Sequence, residues 1–131
     1  MKVTLGLGCD RGTPATTIAQ CIAEALASCG HGVDDVQAVA SIDLKADESG
    51  LLAVIQENGW PCRFYPAAAL AAVDVPNPSE TVRKYTGTPS VSEAAALLAA
   101  NAEASHLLIE KHKLRGPDGR NATVSIARIP Q

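Results

Sequence analysis

Hydrophobic and polar positions along the chain switch between the spacing of strands and that of helices. Residues 3–7 alternate with a period of two, which predicts a first β-strand. Ile18, Ile22, Ala25 and Cys29 then recur every three or four residues, so they share one stripe of a helix. The two patterns follow each other directly, which is typical of the start of an α/β unit.

Polar residues and glycines mark where the predicted helices begin and end. Thr13 is placed to cap the first helix through its hydroxyl, with Pro14 at the first helical position, and Gly30 is placed to end it. Ser90 or Ser92 is placed to cap a later, alanine-rich helix over residues 93–102. That helix has almost no polar face, so we expect it to be buried.

The remaining pattern completes the predicted order of elements. In chain order it gives a strand over 36–42, a helix from residue 51 to about Asn58, a strand over 62–65, short helices over 67–71 and after Ser79, and strands over 105–114 and 122–129 joined by the turn at 116–119. The order βαβαβααββ predicts an α/β fold. We expect a single three-layer domain over residues 1–131, with a mostly parallel sheet, helices on both faces and a C-terminal antiparallel hairpin.

Composition excludes several classes of function. The net charge is −3 and aromatic residues make up 3% of the chain, so neither a basic nucleic-acid-binding face nor a base-stacking platform is expected. No apolar run is long enough to cross a membrane, and no signal peptide is evident, which predicts a cytoplasmic protein. The cysteines form no C-x-x-C pair, so we expect reduced thiols and no protein-bound metal.

Polar side chains gather where the first two predicted strands end. Parallel strands place their carboxyl ends at one edge of a sheet, and ligands of α/β proteins bind there. The first group follows strand one and consists of Gly8, Cys9, Asp10, Arg11 and Gly12. The second group follows strand two and consists of Ser41, Asp43, Lys45, Asp47 and Glu48.

The second group has two interpretations. Asp47 and Glu48 suit the positive end of a helix dipole, which is a purely structural role. The dipole disfavours Lys45, which favours instead a site where Lys45 and Glu48 orient an acid–base step or hold a polar ligand.

The first group also leaves alternatives open. The glycines of residues 6–12 approach the dinucleotide fingerprint G-x-G-x-x-G with one residue too many, which leaves nucleotide binding as a weak alternative. Cys9 could be a nucleophile if Arg11 and a helix N-terminus lower its pKa, although a packed or ligand-contacting thiol is the simpler interpretation.

A second cationic segment flanks the predicted hairpin turn: Lys111, Lys113, Arg115 and Arg120. Such a run is usually a solvated face. It could instead attract a small molecule with several negative charges. His106 and His112 are the available metal ligands in this region, but half-exposed strand positions are the simpler interpretation of both.

Four motifs in order resemble a known family. They are residues 6–13 (GLGCDRGT), 42–51 (IDLKADESGL), 77–79 (NPS) and 87–96 (GTPSVSEAAA). The chain resembles the CobE family, which is similar to the C-terminal domain of CbiG, in cobalamin biosynthesis. The resemblance covers essentially the whole chain.

The resemblance implies a protein that binds a corrin-ring (precorrin) intermediate, as a carrier or as an accessory to ring contraction. The alternative is a cobalt-precorrin lactone hydrolase of the CbiG type that releases acetaldehyde. Carried over onto this chain, the family motifs add Thr13, Ser79, Thr88, Ser92 and Glu93 to the binding residues. Lys45, Glu48 and Glu93 are then the candidate catalytic residues. No resident cofactor is expected, cobalt enters only as part of a bound corrinoid, and other enzymes of the pathway are candidate partners.

Overall fold

Five strands form one mixed sheet within residues 2–79, 84 and 90–130, the part of the chain that this computed structural model describes. The strands are β1 (Val3–Cys9), β2 (Val36–Ile42), β3 (Cys62–Tyr65), β4 (Leu107–Arg115) and β5 (Asn121–Arg128). Their order across the sheet is β3-β2-β1-β5-β4.

The pairing of these strands corrects one part of the prediction. β1 pairs in parallel with β2, and β2 with β3, but β5 lies antiparallel to both β1 and β4. The sheet is therefore mixed rather than mostly parallel. The reason is that the C-terminal hairpin inserts β5 beside β1 instead of extending a parallel array.

Four described helices pack around this sheet: α1 (Ala15–Ser28), α2 (Ser49–Asn58), α3 (Ala67–Ala71) and α4 (Ser92–Ala100). Side chains of β1 point alternately to the two faces of the sheet, as in any β-strand. Val3, Leu5 and Leu7 enter one apolar core with residues of α1 and α2. Thr4 points the other way, because its hydroxyl donates a hydrogen bond of 2.7 Å to the carbonyl oxygen of Ala96 in α4.

Gly6 explains why α4 can lie so close to β1. A side chain on Gly6 would collide with the backbone of Ser92 and Ala96, so only glycine allows this crossing. As predicted, α4 is almost completely buried. The fold therefore brings the start of α4 directly over the second half of β1.

The predicted helix ends are partly right. Gly30 follows the C-cap of α1 with φ of 76°, and Gly59 caps α2 in the left-handed conformation. The predicted hydroxyl caps are wrong: α1 begins after Pro14 and α4 after Val91, and neither helix has a side-chain cap. Thr13 and Ser92 use their hydroxyls in longer-range contacts instead. The helix predicted after Ser79 lies outside the described residues.

Candidate functional site

The loop after β1 is fixed to the hairpin by polar contacts. Asp10 and Asn121 exchange two hydrogen bonds: the N–H of Asp10 donates to the carbonyl of Asn121 at 3.0 Å, and the N–H of Asn121 donates to the side-chain carboxylate of Asp10 at 2.8 Å. The Thr13 hydroxyl donates to the carbonyl of Asp10 at 2.8 Å. Arg120 donates to the carbonyl of Arg11 at 3.0 Å. The loop is therefore a fixed part of the carboxyl edge, where β1, β2 and β3 all end.

The predicted residues of the first two loops meet in one network. The guanidinium of Arg11 donates to the Asp47 carboxylate at 2.7 Å and to the Glu48 carboxylate at 2.9 Å. Glu48 also accepts a hydrogen bond of 3.1 Å from the backbone N–H of Gly12. The hydrogen bond from Arg11 holds the pKa of Asp47 below its usual range. Arg11 is thus already neutralised by side chains of the protein itself.

This network decides between the two interpretations of the acidic pair. Glu48 is the N-cap of α2, but its carboxylate makes no capping bond to that helix. It is 5% exposed and bridges to the neighbouring loop. Glu48 therefore joins the two loops, and the carboxylate already occupies the Gly12 N–H that a bound phosphate would need.

Cys9 lies at the end of β1 within the electrostatic reach of Lys45. Burial is the main cause that raises the pKa of the Cys9 thiol to about 11. The positive charges of Lys45 and Arg11 lower this pKa, and the negative charges of Glu48 and Asp10 raise it. The thiol is consequently protonated at neutral pH. This result argues against a nucleophilic Cys9 and favours a packed or ligand-contacting thiol.

Lys45 differs from Arg11 in having its charge available. It ends a short 3-10 turn, Asp43–Lys45, that follows β2 directly. Among the described residues no hydrogen bond or ion pair holds its ammonium group. Asp43 is exposed at the start of the same turn. Lys45 is therefore the better placed of the two predicted cations to bind an anion.

A second network lies under the start of α4. Glu93 is 1% exposed, and its carboxylate accepts a hydrogen bond of 2.9 Å from the Ser92 hydroxyl. The Lys111 ammonium lies 3.5 Å from the same carboxylate oxygen. Ser125 of β5 donates to the Ser92 hydroxyl at 2.9 Å. This group is separate from the Arg11 network, because α4 contacts the opposite face of β1 from α1.

The sequence does not predict Ser125 as a site residue, and it indicates Lys111 only as part of the cationic segment around the hairpin turn. Only their tertiary contacts single them out, since Ser125 lies in an ordinary alternating strand and Lys111 in a run of exposed charges.

The remaining predicted residues lie elsewhere. Gly8 lies on the same face of the sheet as Gly6. Ser79 is half-buried in the loop after α3, and Thr88 lies outside the described residues.

Two adjoining cavities lie at the far end of α4. They have volumes of about 310 Å³ and 470 Å³ and share Val73, Ala102 and Glu103 as lining residues. Neither is lined by a described lysine or arginine. Both are therefore poorly suited to an anionic ligand.

The other candidate groups have local roles. His112 pairs with Glu24 of α1 at 2.9 Å. Within the described ranges no cluster of three metal-ligating side chains occurs, and no helix is long and apolar enough to cross a membrane. All four cysteines are free thiols.

Fold and site together define an α/β protein with a polar site at the carboxyl edge of a mixed sheet. The chain belongs to the family described as cobalamin synthesis G C-terminus, whose model matches residues 3–127. This membership confirms the resemblance predicted from the ordered motifs and makes the chain a cobalamin-biosynthesis protein.

Curated relatives support the same family. The chain is 38% identical over 128 residues to a cobalt-precorrin-5A hydrolase of Priestia megaterium, covering 98% of this chain and 32% of the relative. It is 43% identical over 111 residues to protein CobE of a Sinorhizobium species, covering 83% of this chain and 71% of the relative. The chain thus spans about a third of the hydrolase.

Solved structures agree with the fold. CobE, described as a protein of the cobalamin (vitamin B12) biosynthetic pathway, superposes with a TM-score of 0.82 at 30% identity, covering 98% of this chain and 91% of that one. The cobalamin biosynthesis protein chiG of Agrobacterium tumefaciens gives a TM-score of 0.69 at 28% identity, covering 98% and 99%.

Proposed function

We propose that this chain binds a corrin-ring biosynthetic intermediate at the carboxyl edge of its sheet, as a carrier or as an accessory to ring contraction. Such intermediates carry several acetate and propionate carboxylates around a flat macrocycle. The observation that carries the proposal is the Lys45 ammonium, which lies without an ion pair among the described residues in a protein of the cobalamin-synthesis family. A carboxylate held there would form a charge-assisted hydrogen bond.

The other predicted residues take supporting roles in this proposal. Arg11 offers a guanidinium at the same edge, although its partners Asp47 and Glu48 reduce its attraction for a ligand. Cys9, protonated at neutral pH, contributes an uncharged contact beside Lys45. Gly8 and Gly12 add no side chain that would block the edge, although the Gly12 N–H already donates to Glu48. Thr13 fixes the loop rather than touching the ligand.

Later segments complete the proposed binding surface. Asp43, Ser79 and Thr88 belong to the family motifs and would make polar contacts to the rim of the macrocycle. Ser92 and Glu93 are buried at the start of α4, so they would support that surface through their contacts with Ser125 and Lys111. Cobalt, where present, is a part of the bound corrinoid, and the protein needs no cofactor of its own. The free cysteines are consistent with the reducing cytoplasm as the proposed location. Other enzymes of the pathway are the proposed protein partners.

A hydrolase is the second candidate, favoured by the 38% identity to a cobalt-precorrin-5A hydrolase. In that case Glu48 or Glu93 would activate a water that attacks a lactone carbonyl. These carboxylates are only 5% and 1% exposed, which leaves little room for an attacking water, so we rank binding first. A single-turnover assay on a cobalt-precorrin lactone separates the two: released acetaldehyde supports hydrolysis, and intact lactone excludes it.

Co-purification tests the proposed binding directly. We expect affinity-tagged protein from a cobalamin-producing host to carry a corrin pigment that absorption and mass spectrometry identify. Protein with both Arg11→Ala and Lys45→Ala should lose most of that pigment, whereas Lys2→Ala at the opposite edge of the sheet should keep it. Colourless wild-type protein from pigment-producing cells would contradict the proposal.

A further inference from the structure

Three residues form a row across the sheet just beyond the start of α4. Gly8 of β1 pairs with Thr123 of β5, and Thr123 pairs with Lys113 of β4. Directly paired residues present their side chains on the same face. The neighbouring pair, Gly6 and Ser125, is fully buried beneath the first turn of α4. The row is therefore the first part of this face that the helix leaves accessible.

Exposure changes at this boundary. Gly6 and Ser125 are buried, Gly8 and Thr123 are half-buried, and Lys113 is exposed. Gly8 contributes no side chain, and a Cβ atom built there would lie 2.5 Å from the Thr123 hydroxyl oxygen. The Thr123 hydroxyl therefore leans over Gly8, and the row presents this hydroxyl beside the ammonium group of Lys113.

The charges of the two lysines on this face are used differently. Lys111 lies 3.5 Å from the buried carboxylate of Glu93, which neutralises it. Lys113 is two residues further along the strand and so projects from the same face. Across residues 2–79, 84 and 90–130, no carboxylate pairs with Lys113. Like Lys45, Lys113 therefore has no carboxylate partner among the residues that the structure describes.

The position of the row relative to Lys45 suits one flat ligand. Lys45 follows β2 and Lys113 lies in β4, with β1 and β5 between those strands. Strands are about 4.8 Å apart, so β2 and β4 are separated by about 14 Å. Gly8 directly precedes Cys9 at the carboxyl edge of the sheet. A macrocycle lying over Gly8 and Thr123 can extend one carboxylate arm toward Lys45 and another toward Lys113.

We infer that Gly8, Thr123 and Lys113 form a second carboxylate-binding subsite for a flat, polycarboxylate macrocycle. The inference rests on the proposed function and extends it to Thr123 and Lys113, two strand residues that the family motifs do not contain. Lys113 binds a rim carboxylate by charge, Thr123 donates a hydrogen bond to it, and Gly8, having no side chain, leaves room for the Thr123 hydroxyl beneath the ring. The expected occupant is a polycarboxylate because its negative charges complement the ammonium groups of Lys45 and Lys113.

The test is a titration with hydrogenobyrinic acid, a metal-free corrin polycarboxylate, followed by its absorption and by calorimetry. We expect Lys113→Ala to weaken binding by about tenfold, with a smaller loss for Thr123→Val, and Lys113→Arg to retain binding within about threefold. Lys2→Ala removes the same charge at the opposite edge and should change the affinity by less than about twofold. Circular dichroism checks that each variant is folded.

The outcomes separate the inference from the proposed function. If wild-type protein binds and Lys113→Ala matches Lys2→Ala, the subsite is refuted while binding at the Lys45 edge stands. If wild-type protein does not bind hydrogenobyrinic acid at all, the proposed function and the subsite both fall. A tenfold loss in Lys113→Ala that increased salt reduces supports the subsite.

Discussion

Glu48 and Gly12 are joined by a hydrogen bond of 3.1 Å from the backbone N–H of Gly12 to the carboxylate of Glu48. This bond links the connection after β2 to the loop after β1. Glu48 also binds Arg11, so one buried carboxylate sets the position of the cation beside it. The geometry of the carboxyl edge therefore depends on Glu48. From the sequence alone, Glu48 fits a purely structural role at a helix N-terminus equally well.

Replacing Glu48 should lower the stability of the fold. Glu48→Ala leaves the Gly12 N–H and the Arg11 guanidinium without their buried acceptor, which we expect to cost about 1–3 kcal/mol of unfolding free energy. Glu48→Gln keeps an oxygen for Gly12 and should cost less. Urea denaturation measures both. Asp47→Asn is the control, because its side chain is 74% exposed and its ion pair should contribute no more than about 1 kcal/mol. Equal midpoints for Glu48→Ala and wild type would refute the bridging role.

Removing the charge of Asp47 should strengthen anion binding. Asp47 competes with a ligand carboxylate for Arg11, so Asp47→Asn is expected to raise the affinity for hydrogenobyrinic acid up to about fivefold. Asp118→Asn, which breaks the exposed pair with Arg120, is the matched control and should have little effect. Weaker binding by Asp47→Asn would show that Asp47 supports the site instead of competing for Arg11.

The effect of Asp47 should not vary between pH 6 and 8. Its pKa is lowered by the hydrogen bond from Arg11, so the pair is fully formed above the ordinary aspartate value of about 3.9. The contribution of the pair is lost only as the pH falls through the lowered pKa. Affinity ratios measured at several pH values check this. A ratio that changes tenfold across that interval would point to a different titrating group.

Gly6 should tolerate no side chain. Gly6→Ala places a methyl group against the backbone of Ser92 and Ala96, so α4 must move away from β1. We expect a loss of about 3 kcal/mol or more in urea denaturation. Gly32→Ala is the control, because a Cβ there has no neighbour within 4 Å. Equal stability of the two variants would contradict the close packing of α4.

Cys9 should react slowly with iodoacetamide near neutral pH. Burial is the main cause of its raised pKa of about 11, so little thiolate is present at pH 7.5, and the alkylation rate should rise about tenfold per pH unit up to about pH 10. Peptide mapping by mass spectrometry measures the rate, with glutathione as the unhindered reference. The neutral thiol favours the folded state below the ordinary cysteine pKa, and that contribution fades as the pH approaches 11. Rapid labelling of Cys9 at pH 7 would restore it as a candidate nucleophile.

Periodicity predicted most of the elements because local patterns determine them. The apolar stripe that includes Ile18 and Ile22 forms α1, and the turn beginning at Gly116 joins the two strands of the hairpin. Local patterns do not determine which strands become neighbours. The insertion of β5 beside β1, which makes the sheet mixed, depends on tertiary packing.

The candidate site was predicted as a set of residues but not as a set of contacts. Arg11, Asp47 and Glu48 were all identified from their position after buried strands, and the structure brings them together. That Arg11 is neutralised while Lys45 is free could not be predicted, because both are cations in polar loops. The contact between Ser125 and Ser92 likewise joins residues distant in sequence, without a local signal.

Titration of wild-type protein and of Lys45→Ala with hydrogenobyrinic acid tests the central claim most directly. Lys45→Ala tests the charge at the edge, and Lys2→Ala controls for the loss of one positive charge. We predict a saturable change in the absorption of the pigment with wild-type protein, and binding at least about tenfold weaker in Lys45→Ala but unchanged in Lys2→Ala. An unaltered spectrum with no co-elution of the pigment, or equal binding by Lys45→Ala and wild type, would contradict the claim that this edge holds a corrin carboxylate.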